Sequence, residues 1–249
     1  MDGRTKRSQH LGTLTKTGWL SLQPPEFQGR MIAIGRWASV PRGRALYVFG
    51  EEADAIFGLG SGHLDISVPV DSEDVVIHRA PPGIWVGDGA LLSGVPRMLT
   101  VVAATDCEVF RIPQAPLRRM LEENPGDWRH LHHLATLNGA LATQALAEAL
   151  VLPARPRFAR VLLRLAQPDG TINATQEELG RMAGMSRAAF RRAFGALIAA
   201  GVLETGRGSV RIHDRAALAQ EARLDPVGEG PRKRPTPGSR AESGRATLS

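Results

Sequence analysis

Residues 175–212 read TQEELGRMAGMSRAAFRRAFGALIAAGVLETGRGSVRI, and their spacing decides the C-terminal fold. Thr175 followed three residues later by Glu178 is a capping box, in which each side chain satisfies an orphaned N–H at a helix start. Leu179, Met182 and Ala183 then share one helical face. Gly184 ends that helix and Ser186 caps a second one. In the second, Phe190, Ala193, Phe194, Leu197 and Ile198 follow the spacing of a buried stripe. The opposite face carries Ala188, Arg191, Arg192 and Gly195, with Arg187 in the first turn. Small residues permit close approach and arginines reach guanine edges or phosphates, so this face suits the major groove of double-stranded DNA. Beyond Gly201, residues 202–204 and 209–212 flank Gly206–Arg207–Gly208, which predicts a two-stranded wing with Arg207 at a phosphate-contacting tip.

Upstream, Pro153 and Pro156 interrupt the chain and predict a hinge before a helix over 157–165. A long helix is expected over 128–150. Its Leu131, Leu134, Asn138, Leu141 and Ala145 alternate spacings of three and four, as in a coiled-coil seam where Asn138 would fix register. Glu148 falls on the next strict position, so the seam is short. Between residues 37 and 112, five β-rich runs (45–49, 63–70, 75–80, 99–103 and 107–112) are divided by glycines and prolines, predicting an antiparallel roll or sandwich. Short helices are expected over 25–34 and 113–122. The fold class is therefore α+β. Its divisions are a mobile arm (1–17), an effector-binding roll (18–125), a dimerisation helix (126–152), a winged helix-turn-helix (153–224) and a disordered basic tail (225–249).

Composition narrows the classes. A net charge of +6 favours an anionic partner. The single cysteine, Cys107, excludes an internal disulfide and, within one chain, the roughly four thiolates of an iron–sulfur cluster. No apolar run approaches bilayer-crossing length, so no membrane and a cytoplasmic setting are expected. Nucleophile–base pairs, paired carboxylates in a glycine-bounded loop and metal-ligand spacings are absent from the sequence, which argues against an enzyme or a metal site.

The second informative stretch is 85–103, WVGDGALLSGVPRMLTVVA. Gly87–Asp88–Gly89 leads into one helical turn at Ala90–Leu91–Leu92, and Pro96–Arg97 precedes a strand. Exposed N–H groups at such a turn, with one arginine, can cradle an anion, and Asp88 can accept from a hydroxyl.

Together these pieces resemble the Crp–Fnr family of bacterial transcription regulators. The resemblance spans roughly residues 19–219 and is carried by Gly50–Glu51 with Gly62, by 87–92 with Pro96–Arg97, and by 175–203. It implies a homodimer that binds a small effector in the roll and reads two half-sites of a palindromic operator, with RNA polymerase as a candidate further partner. It places Asp88 where relatives hold a ribose with glutamate, and Arg97 at the phosphate. Met98 stands where a small residue is expected, and Thr143, after Ala142, stands where the adenine approaches. The shorter Asp88 and the bulk of Met98 argue for an effector other than a cyclic nucleotide, which stays a candidate. His63, His78, His130, His132 and His133 have no spacing that selects a haem ligand. Ser186, Arg187 and Arg192 match DNA-contacting positions, Thr175 and Gln176 match phosphate-contacting ones, and Ala188 replaces a base-reading glutamate that Arg191 would substitute for. The alternative is a ligand-binding module that regulates a protein partner, which would need the roll alone.

Overall fold

The computed structural model describes residues 3–223 except 72, 168 and 207, without the side chains of 3–8. The 225–249 tail and the wing-tip Arg207 therefore lie outside the described residues. Three helices open the chain: α1 (Gly3–Lys16), α2 (Gly18–Ser21) and α3 (Pro25–Ile34). The strands β1 (Arg36–Val40), β2 (Ala45–Tyr47), β3 (Ala55–Ser61), β4 (Leu64–Val70), β5 (Glu73–Ala80) and β6 (Trp85–Val86) follow. After the short helix α4 (Asp88–Ser93) come β7 (Thr100–Ala103), β8 (Cys107–Pro113), α5 (Gln114–Glu123) and the long α6 (Trp128–Val151). The C-terminal unit holds α7 (Ala154–Leu165), β9 (Thr171–Ile172), α8 (Gln176–Met182), α9 (Arg187–Ala199), β10 (Leu203–Gly206), β11 (Ser209–Ile212) and α10 (Arg215–Glu221).

The roll consists of two four-stranded antiparallel sheets, in the orders β1-β8-β3-β6 and β2-β7-β4-β5. Strand alternation explains why β3 is buried on both faces. Ala55, Phe57 and Leu59 point into the core between the sheets with Leu64, Val101 and Val109. Ile56 points the other way, into a core built with Trp19, Phe27, Trp85, Leu117 and Leu131 from the surrounding helices. At Gly58 a side chain would sit 2.7 Å from the Trp85 ring, so glycine lets that indole lie against the strand.

The N-terminus departs from expectation. Residues 3–16 form α1 rather than a mobile arm, and Leu14 is fully buried in the helix-side core. His10 lies on Trp37, with ring centroids 5.7 Å apart. Leu11 and Leu14 give only one helical repeat in an otherwise polar segment, too little periodicity to stand out; tertiary burial supplies the rest. Just downstream, the Trp19 indole donates to the His130 carbonyl at 2.9 Å and fastens this helical cap to α6.

Helix α6 is buried at Leu131 and Leu134 and then emerges, leaving Leu137, Leu146, Leu150 and Val151 exposed. By length and composition, residues 125–151 would suffice to cross a bilayer, contrary to the sequence expectation, and the helix is mostly unburied. The apolar character comes from alanine and leucine spread around Asn138 and Glu148 rather than from an unbroken run. One seam assignment also changes, and the residue that ends the seam finds its partners. The Asn138 amide donates to the Trp85 carbonyl at 3.2 Å and to Asp88 Oδ1 at 2.9 Å, so it faces its own roll. Glu148 is buried and accepts from Arg160 at 3.1 Å and Arg164 at 2.5 Å, tying α6 to α7. Burial raises its carboxyl pKa, but the hydrogen bonds from Arg164 and Arg160 outweigh that and hold it below the usual range.

The helical break falls at Leu152 and Pro153 alone. Pro156 sits inside the first turn of α7, where its missing N–H costs nothing because first-turn amides have no acceptor. The C-terminal core gathers Phe158, Leu162, Leu179, Phe190, Phe194 and Leu197. Phe158 meets Phe190 edge-on at 5.3 Å, and Phe190 stacks on Phe194 at 5.2 Å. Burying each such side chain contributes about 1.5–3 kcal/mol. The two-stranded wing gains β9 as a third strand, paired with β11, which the sequence did not signal.

Candidate functional site

The helix pair in the C-terminal unit forms as its caps require. Thr175 Oγ1 accepts from the Glu178 N–H at 3.2 Å, and Glu178 Oε2 accepts in return from the Thr175 N–H at 2.7 Å. Gly184 takes φ +58° at the elbow, the left-handed region that glycine enters without steric cost. Ser186 Oγ then accepts from the Ala189 N–H at 3.3 Å and starts α9. With Phe190, Ala193, Phe194 and Leu197 turned into the core, the opposite side of α9 must face solvent. Arg187, Ala188, Arg191, Arg192 and Gly195 are all exposed, as are Thr175, Gln176 and Ser186. A Cβ at Gly195 would meet nothing within 4 Å, so this surface is open to a close-approaching partner. None of Arg187, Arg191 and Arg192 joins a salt bridge among the described residues. Three solvated cations on one helix, beside two exposed helix starts, make this a positively charged face.

Arg157 holds this elbow in place. Its Nε donates to the Ala183 carbonyl at 2.8 Å and its Nη2 to Gly184 at 3.2 Å, while Nη1 donates to Leu152 at 3.1 Å. One guanidinium thus spans the break after α6 and the turn between α8 and α9. Nothing in the sequence distinguished Arg157 from its neighbouring arginines.

The roll residues are brought together differently. Gly87 caps α4 with φ +92°, and Asp88, Gly89 and Ala90 form its first turn. Asp88 is buried, which raises its carboxyl pKa against the opposing hydrogen bonds from backbone and Asn138. Arg97 is 2% exposed. Its Nη1 donates to the Gly87 carbonyl at 2.9 Å and Nη2 to the Ala55 carbonyl at 2.7 Å, and its guanidinium lies 4.1 Å from the centre of the Tyr47 ring. Arg97 Nε is buried with no partner. Met98 is 69% exposed, so its bulk lies outside this cluster rather than in it. Thr143 is exposed, and its hydroxyl donates to Gly139 on its own helix. Each terminal nitrogen of Arg97 gives one hydrogen bond to a carbonyl and keeps a second N–H, with Asp54 Oδ1 3.5 Å from Nη2, while Asn138 engages Oδ1 of Asp88 alone. The unpartnered Nε and the remaining N–H groups are the donors left for an anionic oxygen. Tyr47 was not signalled by the sequence and Asn138 was assigned to the seam instead, because each reaches the cassette only through long-range packing.

Family models match both halves of the chain. A Crp-like helix-turn-helix domain matches residues 156–221, and a cyclic nucleotide-binding domain matches residues 37–124. The chain is similar to a CRP-like cAMP-activated global transcriptional regulator of Mycobacterium tuberculosis, with 25% identity over 194 residues, covering 74% of this chain and 86% of the relative. It is also similar to a cyclic AMP receptor protein of Thermus thermophilus, with 26% identity over 188 residues, covering 73% and 86% respectively. Among solved structures, FixK2 from Bradyrhizobium japonicum shares the fold with a TM-score of 0.63 at 18% identity, covering 77% of this chain and 98% of that one.

Proposed function

Because this chain belongs to the Crp–Fnr family of DNA-binding transcription regulators, we propose that it acts in the cytoplasm as a homodimer on a palindromic operator. The observation that carries this reading is the solvated arginine face of α9, held outward by two capped helix starts and an aromatic core. Arg187, Arg191 and Arg192 read bases and phosphates, Ser186 supports them, and Thr175 and Gln176 meet the backbone at the start of α8. The exposed Leu146 and Leu150, four residues apart on one face of α6, supply an apolar patch for a second copy, which would place two recognition helices on one face of the duplex. RNA polymerase is a further partner of the DNA-bound dimer.

The roll takes a small effector at Gly87, Asp88, Gly89, Ala90 and Arg97, with Met98 and Thr143 at its rim. To bind there, the effector competes with Asn138 for Asp88 and with two backbone carbonyls for Arg97, so occupancy changes how the roll holds α6. The test is operator binding by the full chain, with and without cyclic AMP, cyclic GMP and a panel of small metabolites. An effector that changes operator affinity supports the reading. Wild-type chain that ignores every duplex at low salt contradicts it.

A further inference from the structure

Where the roll meets the DNA-reading unit, one buried side chain is bonded to both. Arg79, near the end of β5, is 4% exposed. Its Nε and Nη2 donate to the two carboxylate oxygens of Asp65, its cross-strand partner on β4, at 2.6 and 2.7 Å. Nη2 also donates to Glu178 Oε1 on α8 at 3.0 Å, and Nη1 donates to the Asn173 carbonyl at 3.2 Å. A buried cation is costly unless paired and hydrogen-bonded, and here two of its four hydrogen bonds go to the other unit. Glu178 is equally divided. One oxygen caps α8 through Thr175, and the other takes Arg79.

We infer that Arg79 is a positioning residue for operator binding: through Glu178 it holds α8, and with it the recognition helix, in one orientation against the roll. The inference rests on the DNA-binding reading above. Arg157 and Glu148 fasten the same unit to α6, across the break at Leu152 and Pro153, but neither reaches the roll. Arg79 therefore supplies a constraint those two do not. In the orientation it fixes, Thr175, Gln176, Arg187, Arg191 and Arg192 are all exposed, so the latched arrangement leaves the DNA-reading face open. Releasing it spreads the unit over other orientations, and apparent affinity falls with the competent fraction. β5 also runs on through residues 81–84 into β6 and the Gly87–Asp88–Gly89 turn, so the latch and the effector cassette share one continuous segment.

The test compares four full-length proteins on a selected operator by fluorescence anisotropy: wild type, Glu178→Gln, Arg79→Met with Asp65→Asn, and the combination. Glutamine serves at the third position of a capping box, so Glu178→Gln keeps the helix start and removes only the ion pair. Asp65→Asn prevents a carboxylate from being stranded without its partner. Each latch variant is expected to bind the operator about three- to tenfold more weakly, and the combination no more weakly than the worse of the two. Spin labels placed through Glu122→Cys on α5 and Ala200→Cys after α9, both exposed positions, report orientation without DNA. Cys107 is buried and stays unlabelled. With the labelled chain diluted into excess unlabelled chain, so that each dimer carries one labelled protomer, wild type should give one narrow distance distribution, and the latch variants a broad one at unchanged helical content. Equal or tighter operator binding by the variants, additive losses, or an unchanged distance distribution would overturn the latch while leaving DNA recognition intact. Failure of wild type to bind any duplex would instead remove the DNA reading, and the spin-label distances would then decide the latch alone.

Discussion

On α9 three arginines stand in solvent without an ion pair among the described residues, whereas in the roll Arg97 is sealed against Tyr47 with two backbone carbonyls as acceptors. The first arrangement meets an anion at the cost of displacing water and counterions alone. The second is already bonded to the protein's own carbonyls, so a ligand would have to use the donors that remain or displace those bonds. DNA affinity should therefore depend steeply on salt, and effector affinity on the cost of rearranging the cassette.

The largest separation between the two regions should come from their cores. Phe158→Ala removes a fully buried ring from the C-terminal core alone, at a cost of about 3–5 kcal/mol. Calorimetry should show the C-terminal transition shifted down and the roll transition in place; a common shift would mean the two melt as one.

Acid should loosen the junction next. Burial raises the Glu178 carboxyl pKa, but hydrogen bonds from Thr175 and Arg79 outweigh it and hold it down at about 2. The folded-state pKa lies below the usual 4.5, so its stabilisation is complete above pH 4.5 and is lost as pH falls towards 2. With a side chain 18% exposed, that amounts to about 2–3 kcal/mol. Glu178→Gln should flatten the stability loss in urea titrations between pH 5 and about 2.5; an unchanged slope would assign the acid sensitivity to other carboxylates.

On the DNA face, Arg192→Ala should cost about 1–3 kcal/mol on the operator and relax preference at one base position. Uniform weakening across sequences would make Arg192 a phosphate contact instead. The smallest effect belongs to the roll. Asn138→Ala removes two hydrogen bonds at the cassette, about 1 kcal/mol in stability, and should ease effector entry by freeing Asp88. A weaker effector response would show that Asn138 helps bind the ligand rather than competing with it.

The same contrast explains what could be read from the sequence. The capping box, the elbow glycine and the Phe190 to Ile198 stripe act over three or four residues, so local spacing carried the helix pair into the structure nearly unchanged. The five β-rich runs became β2, β4, β5, β7 and β8, whereas β1, β3 and β6, three of the four strands of one sheet, were not among them. Arg97 was recognisable as a candidate, but its acceptors Gly87 and Ala55 and its stacking partner Tyr47 come from three separate elements. Asn138 matched a seam by period while its amide was committed to Trp85 and Asp88. Glu148 broke the seam because two arginines of α7 needed a buried carboxylate. The α1 helix stayed hidden because its stability comes from the roll it covers, not from its own periodicity.

The most direct test is selection from a pool of random duplexes by the purified full chain at graded salt. The expected product is a two-fold symmetric site with half-sites about one helical turn (~34 Å) apart, bound with an affinity that falls steeply as salt rises. A pool that shows no sequence enrichment, or a chain that leaves duplex DNA unbound even in dilute salt, would contradict the claim that the α9 face reads an operator.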